Sequence, residues 1–141
     1  MRVFEQIMLV DDDPITSVVL HKINHTLPFA KELVSFYSAV DGLDYLTSLH
    51  ETNQRQPEVI FLDITMPIVS GWQFLERYAA LPASESKIFM LTASRSQSDI
   101  IRAKKCGDVE DYLVKPLTLN YLHAIQDRLL SSSPRAASPV M

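Results

Sequence analysis

Val59-Ile60-Phe61-Leu62-Asp63-Ile64-Thr65-Met66-Pro67 decides the architecture, because an unbroken apolar run halts there at a lone carboxylate. A strand with one wet face alternates apolar and polar residues, whereas a continuous run such as Val59 to Leu62 suits a central parallel strand covered on both faces. Three more runs break in the same manner: Leu9-Val10 at Asp11-Asp12-Asp13-Pro14, Phe89-Met90-Leu91 at Thr92-Ala93, and Tyr112-Leu113-Val114 at Lys115-Pro116.

Helical patterns separate these runs. Gln6 to Val10 reads as the first strand, and Pro14 suits the opening turn of a helix carrying Ile15, Val18, Val19 and Ile23 at the 3.6 period and ending before Pro28. Leu33 to Tyr37 reads as the second strand. A helix with Leu43, Leu46 and Leu49 on one face follows, capped by Asp41. Polar Glu51 to Pro57 is a loop, Val59 to Leu62 the third strand, and Gly71 to Ala79 a helix presenting Trp72, Phe74, Leu75 and Tyr78. Ile88 to Leu91 leads to a helix over Gln97 to Lys105 capped by Ser96. Glu110 to Val114 leads to a helix over Leu119 to Leu130 with Leu119, Leu122, Ile125 and Leu129 in one stripe.

Five strand-helix units in series predict right-handed crossovers and a doubly wound α/β fold. It is a five-stranded parallel sheet in the order 2-1-3-4-5 with five helices, as in flavodoxin-like proteins. All strands then point one way, and residues just past their carboxyl ends share one crevice, where such folds bind ligands. Asp11, Asp12, Asp63, Thr92 and Lys115 would meet there.

The 141 residues fit one domain. Residues 1–130 form it, and 131–141, rich in Ser, Pro and Ala, are expected to be a disordered tail. A single cysteine, Cys106, allows no internal disulfide, and neither a signal peptide before the acidic cluster nor a membrane-spanning apolar stretch is expected. A reducing cytoplasm is the expected compartment. The net charge of -4 argues against nucleic acid as a direct partner.

Clustered carboxylates repel by about 4 kcal/mol per pair at ~4 Å and an effective dielectric of ~20. A hard divalent cation relieves that, and Mg²⁺, which needs one or two carboxylates plus phosphate, fits better than zinc. None of His21, His25, His50 and His123 belongs to the cluster. A carboxylate beside Mg²⁺ can act as a nucleophile toward phosphorus. Asp63 stands alone after the most buried strand and is the candidate acceptor, while Asp11 and Asp12 are better placed as metal ligands. Phosphoryl transfer relies on positioning and charge neutralisation, so Lys115 would pair with phosphoryl oxygens and the Thr92 hydroxyl would donate to one.

From about Gln6 to Leu130 this pattern resembles the receiver domain of two-component response regulators, on Asp11-Asp12, Asp63, Met66-Pro67, Gly71, Thr92-Ala93, Tyr112 and Lys115-Pro116 taken together in order. It is most similar to stand-alone receivers of the chemotaxis-regulator type. The resemblance implies a phosphoacceptor that assists only its own phosphorylation and dephosphorylation rather than an enzyme. It implies Asp63 as the acceptor and a Mg²⁺ site formed by Asp12, Asp63, the Thr65 backbone carbonyl and, through water, Asp11. It also implies a histidine kinase or histidine phosphotransfer protein as donor, an unidentified downstream protein as reader, and Thr92 with Tyr112 as the switch pair. Phosphorylation adds about -1.5 to -2 charges. New charged hydrogen bonds of about 1.5–3 kcal/mol each supply a few kcal/mol of bias against the ≈ 5.5 kcal/mol of a full 1:99 to 99:1 swing, so a partial population shift is expected on the face carrying Ile100, Lys104 and Tyr121.

Ser70 stands where the family has an acidic residue, the loop near Glu51 to Pro57 is longer than usual, and Gly107 to Tyr112 is about one residue longer. Thr65 and Ser94 lie where the family tunes phosphoryl lifetime. Each residue also has an ordinary reading: the Asp11-Asp12-Asp13 run as a helix cap, Lys115 as a solvated lysine, Thr92 as a strand-end cap, Tyr112 as packing. Asp13 is expected to cap and nothing more. Two rival functions remain open at this level. One is a haloacid-dehalogenase-like phosphohydrolase with Asp11 as nucleophile; the other is a non-phosphorylated interaction module of the same fold. A calcium loop fails, because Thr16 and Lys22 stand where its Gly and Glu belong.

Overall fold

Phe4–Val10 (β1), Ala30–Phe36 (β2), Val59–Asp63 (β3), Lys87–Thr92 (β4) and Asp111–Val114 (β5) form one sheet in the order β2-β1-β3-β4-β5, parallel at every pairing. This computed structural model describes residues 3–82, 85–93 and 97–130. The helices are Pro14–Thr26 (α1), Ala39–Glu51 (α2), Gly71–Ala79 (α3), Gln97–Lys105 (α4) and Leu119–Leu130 (α5). The expected tail at 131–141, the Ser96 cap and Ser94 all lie outside the described residues.

Alternate strand residues feed opposite layers, as the pleat requires. Met8, Val10, Ile60, Leu62, Ile88 and Met90 pack with Leu43 and Leu46 of α2, Phe74, Leu75 and Tyr78 of α3, and Ala103 of α4. Ile7, Leu9, Val59, Phe61, Phe89, Leu91 and Leu113 pack on the other side with Leu20 of α1 and Leu122 and Ile125 of α5. All five residues of β3 are buried, so its unbroken apolar run reflects cover on both faces.

Several local readings need correction. The second strand starts at Ala30 and ends at Phe36, not over Leu33 to Tyr37; exposed Lys31 and Glu32 concealed its start. The cap of α2 is Ser38, whose hydroxyl accepts from the Asp41 N–H at 3.1 Å, and Asp41 lies in the first turn, where its charge complements the dipole. The buried face of α1 is Thr16, Ser17 and Leu20, with Val19 and Ile23 half-buried, while Ile15 and Val18 are exposed at 66% and 54%. In α5 the stripe begins at Leu122, with Leu119 at 39% exposure. Apolar spacing alone gave a stripe too broad for the narrow contact each helix makes.

The loop after α2 starts with a Schellman motif. Asn53 takes φ 59, its N–H donates to His50 O at 3.1 Å, and the Gln54 N–H donates to Leu49 O at 2.8 Å. Ser70 caps α3: its hydroxyl accepts from Gln73 N–H at 3.3 Å while Gln73 Oε1 accepts from Ser70 N–H at 2.9 Å. The family's acidic position is thus filled here by a reciprocal cap.

Gly71 is fixed by close approach. A Cβ there would stand 2.4 Å from the Asp63 carbonyl oxygen and 2.9 Å from Ile64 Cα, both backbone atoms that cannot yield cheaply, and the Gly71 N–H donates to Ile64 O at 2.9 Å. Gly71→Ala is expected to destabilise the protein by about 1–3 kcal/mol or more, read as a lower urea midpoint, because it pushes on the strand end that carries Asp63.

Candidate functional site

The ends of four of the five strands, all but β2, deliver the components of the site. After β1, Asp11 is 1% exposed and Asp12 exposed; β3 ends on Asp63 at 5%; β4 ends on Thr92 at 5%; after β5 comes Lys115, whose side chain is 16% exposed. Asp11, Asp12 and Asp63 each offer a carboxylate oxygen, and these lie within 4.8 Å of one another. The sheet order accounts for this, since β1 and β3 are neighbours and their ends advance together.

Asp13 does the ordinary work expected of it. It is the N-cap of α1, accepting from the Ile15 N–H at 3.0 Å, and its own N–H donates to Asp11 Oδ1 at 2.9 Å. Asp11 Oδ2 lies 2.7 Å from Lys115 Nζ in a buried ion pair, and a carboxylate oxygen with one cationic contact keeps acceptor capacity for a second. Asp63 Oδ2 is 3.6 Å from the same ammonium, and Asp63 Oδ1 accepts from the Thr65 N–H at 3.3 Å.

Burial and neighbouring charges set the electrostatics of the site. Burial, then the Asp11 charge, push the Asp63 carboxyl up to about 7, against the opposing pull of Lys115 and the Thr65 N–H. Burial of Lys115 disfavours its ammonium, but the contact to Asp11 and the charges of Asp63, Asp11 and Asp13 outweigh it and hold its pKa above the usual value. One ammonium facing several carboxylates leaves net negative charge. An all-oxygen donor set with a spare buried acceptor fits a hard divalent cation.

Lys115 is anchored by the chain: its N–H donates to Thr92 O at 2.8 Å, joining the ends of β4 and β5, and the Lys115–Pro116 peptide is cis. Tyr112 is half-buried, with Lys104 Nζ of α4 5.5 Å from its ring centroid, and Trp72 of α3 carries the Arg102 guanidinium at 4.2 Å. One site feature escaped sequence reading. Ile68 adopts φ 68 with its side chain 95% exposed, in the turn from β3 to α3, and a branched residue gives no warning of left-handed backbone. His21 and His25 lie on α1, His50 in the last turn of α2 and His123 on α5, outside the carboxylate cluster.

The model of the response regulator receiver domain family matches residues 7–127. Transcriptional regulatory protein PrrA of Mycobacterium leprae is 33% identical over 125 residues, 89% of this chain and 49% of that protein. Transcriptional activator protein IrlR of Burkholderia pseudomallei is 30% identical over 111 residues, 79% of this chain and 44% of that protein. The chain thus spans about half the length of these curated relatives. The crystal structure of a two component response regulator from Cytophaga hutchinsonii superposes with a TM-score of 0.85 at 26% identity, covering 93% of this chain and 100% of that one.

Proposed function

The chain belongs to the response regulator receiver domain family, and on that premise we propose that Asp63 accepts a phosphoryl group from a histidine kinase or histidine phosphotransfer protein. The observation carrying this is a buried carboxylate at the end of the central strand, with acidic oxygens within 4.8 Å and an ammonium 3.6 Å away. An Asp63 oxygen attacks phosphorus; the O–P bond forms as the donor N–P bond breaks, and the imidazole nitrogen leaves with the electron pair. Lys115 then pairs with one phosphoryl oxygen and the Thr92 hydroxyl donates to another.

Receiver domains bind a divalent metal at this acidic pocket. In this chain Asp12, Asp63 and the Thr65 carbonyl would hold Mg²⁺, with Asp11 contributing through water. When bound, the ion neutralises carboxylate and phosphoryl charge. Asp11 is held more tightly than Asp63, by the Asp13 N–H at 2.9 Å against 3.3 Å from the Thr65 N–H and by Lys115 at 2.7 Å against 3.6 Å, which makes it the poorer nucleophile and disfavours the phosphohydrolase reading. On this reading the chain is an acceptor in signalling rather than an enzyme with an external substrate, and it acts in the cytoplasm, as response regulators generally do. No helix among the described residues is long and apolar enough to cross a membrane.

Signalling follows from a redirected Thr92. As its hydroxyl turns to the phosphoryl group, Tyr112 moves inward and the surface of α4, β5 and α5, with Ile100, Lys104 and Tyr121, is remodelled for a partner protein. Incubation with an acyl phosphate and Mg²⁺ is expected to add a single phosphoryl group by intact mass, and chelation of the metal to suppress it. Incorporation that persists undiminished in excess chelator would overturn the metal assignment.

A further inference from the structure

We propose that α1 carries a second metal site, distinct from the carboxylate cluster, formed by His21 and His25 and suited to a borderline divalent ion such as Cu²⁺, Ni²⁺ or Zn²⁺. The residues are four apart, so they are neighbours on one face of a helix. Both are exposed, and both line the same open cavity, with Ser17, Val18, Lys22 and Thr26.

A second observation concerns the ligand state of the ring. His21 Nδ1 lies 2.9 Å from the Ser17 carbonyl oxygen. A carbonyl only accepts, so Nδ1 carries the proton, and in the neutral ring Nε2 keeps its lone pair. This is the arrangement that orients metal-binding histidines: one nitrogen donates to a backbone carbonyl while the other faces the ion. The carbonyl belongs to the preceding turn of the same rigid helix, so the orientation is built in before a metal arrives.

Imidazole ligands select against Mg²⁺, and the carboxylate cluster selects for it, so the ions sort by donor chemistry. Two imidazoles from adjacent turns leave the remaining coordination positions to water. Lys22 stands in the same cavity and adds positive charge, which limits affinity and favours Cu²⁺, the tightest binder for nitrogen sites. Binding would clip one turn to the next near the end of α1.

The test uses the untagged full chain with Mg²⁺ in excess, titrated with Cu²⁺ and followed by paramagnetic broadening of backbone amide signals. Broadening should begin over residues 17–26, and His21→Gln and His25→Gln should each weaken Cu²⁺ binding at least about tenfold. His50→Gln and His123→Gln should leave it unchanged. Absence of binding, broadening centred on Asp11, Asp12 and Asp63, or a smaller effect of either α1 substitution overturns the site.

Discussion

Asp63→Asn is expected to make the metal-free protein more stable at pH 8, to lose most of that advantage by pH 5, and to abolish phosphoryl incorporation. A carboxyl whose pKa is about 7 in the folded chain and ordinarily about 3.9 unfolded binds its proton more tightly when folded. The stability linked to that proton is complete below about pH 4, and it drains away as the pH rises through about 7. Asparagine keeps the shape and removes the charge, so the difference between variant and wild type widens upward in pH. Burial of the charge and its repulsion by Asp11, partly offset by the ammonium, are worth on the order of 2–4 kcal/mol at pH 8, or about 7–15 °C in thermal midpoint. Excess Mg²⁺ should narrow or reverse the ranking, because wild type gains ligand-linked stability that the variant largely loses. Equal midpoints at pH 8 after chelation would contradict the electrostatic description of the site.

Lys115→Met should have the opposite effect on folding. Asp11 has a fully buried side chain, and the ammonium 2.7 Å away is its close cationic partner among the described residues. Methionine preserves much of the volume but leaves the acidic group uncompensated, at about 3 kcal/mol, the low end for a broken buried pair. Added Mg²⁺ should recover more stability in this variant than in wild type, since an incoming cation replaces the missing charge. Thermal unfolding with and without the metal measures both effects. A variant as stable as wild type in chelator would show that the pair is not what holds Asp11 in place.

How far such a site can be read from sequence depends on which interactions are local. The run Val59 to Leu62 revealed its own burial, and the strand-end breaks brought Asp11, Asp12, Asp63 and Lys115 together, with Thr92 at the end of β4, because parallel topology leaves little choice. The bounds of α3, α4 and α5 were legible from periodicity and flanking polar residues. The cap of α2 was not: Ser38 and Asp41 are both good capping residues, and only backbone geometry selects between them. The inward face of α1 was misread because Thr16 and Ser17 are buried there, with Ser17 Oγ 2.9 Å from Ser35 Oγ on β2, while apolar Ile15 and Val18 face water. Ile68 and the Asp11–Lys115 contact depend on tertiary placement and leave no mark on their neighbours in sequence.

Sheet order also governs how the molecule behaves in a crowd. Among the described residues β2 and β5 are the edge strands, and an open flank is a template on which a foreign strand can zip. β5 offers four residues, too brief for a firm grip, whereas β2 offers seven but begins with exposed Lys31 and Glu32, the lysine tied to Glu5 at 2.9 Å. This ionic fringe works as a guard rail against fibril growth, and neutralising both residues would open the longest unprotected border of the fold to self-association.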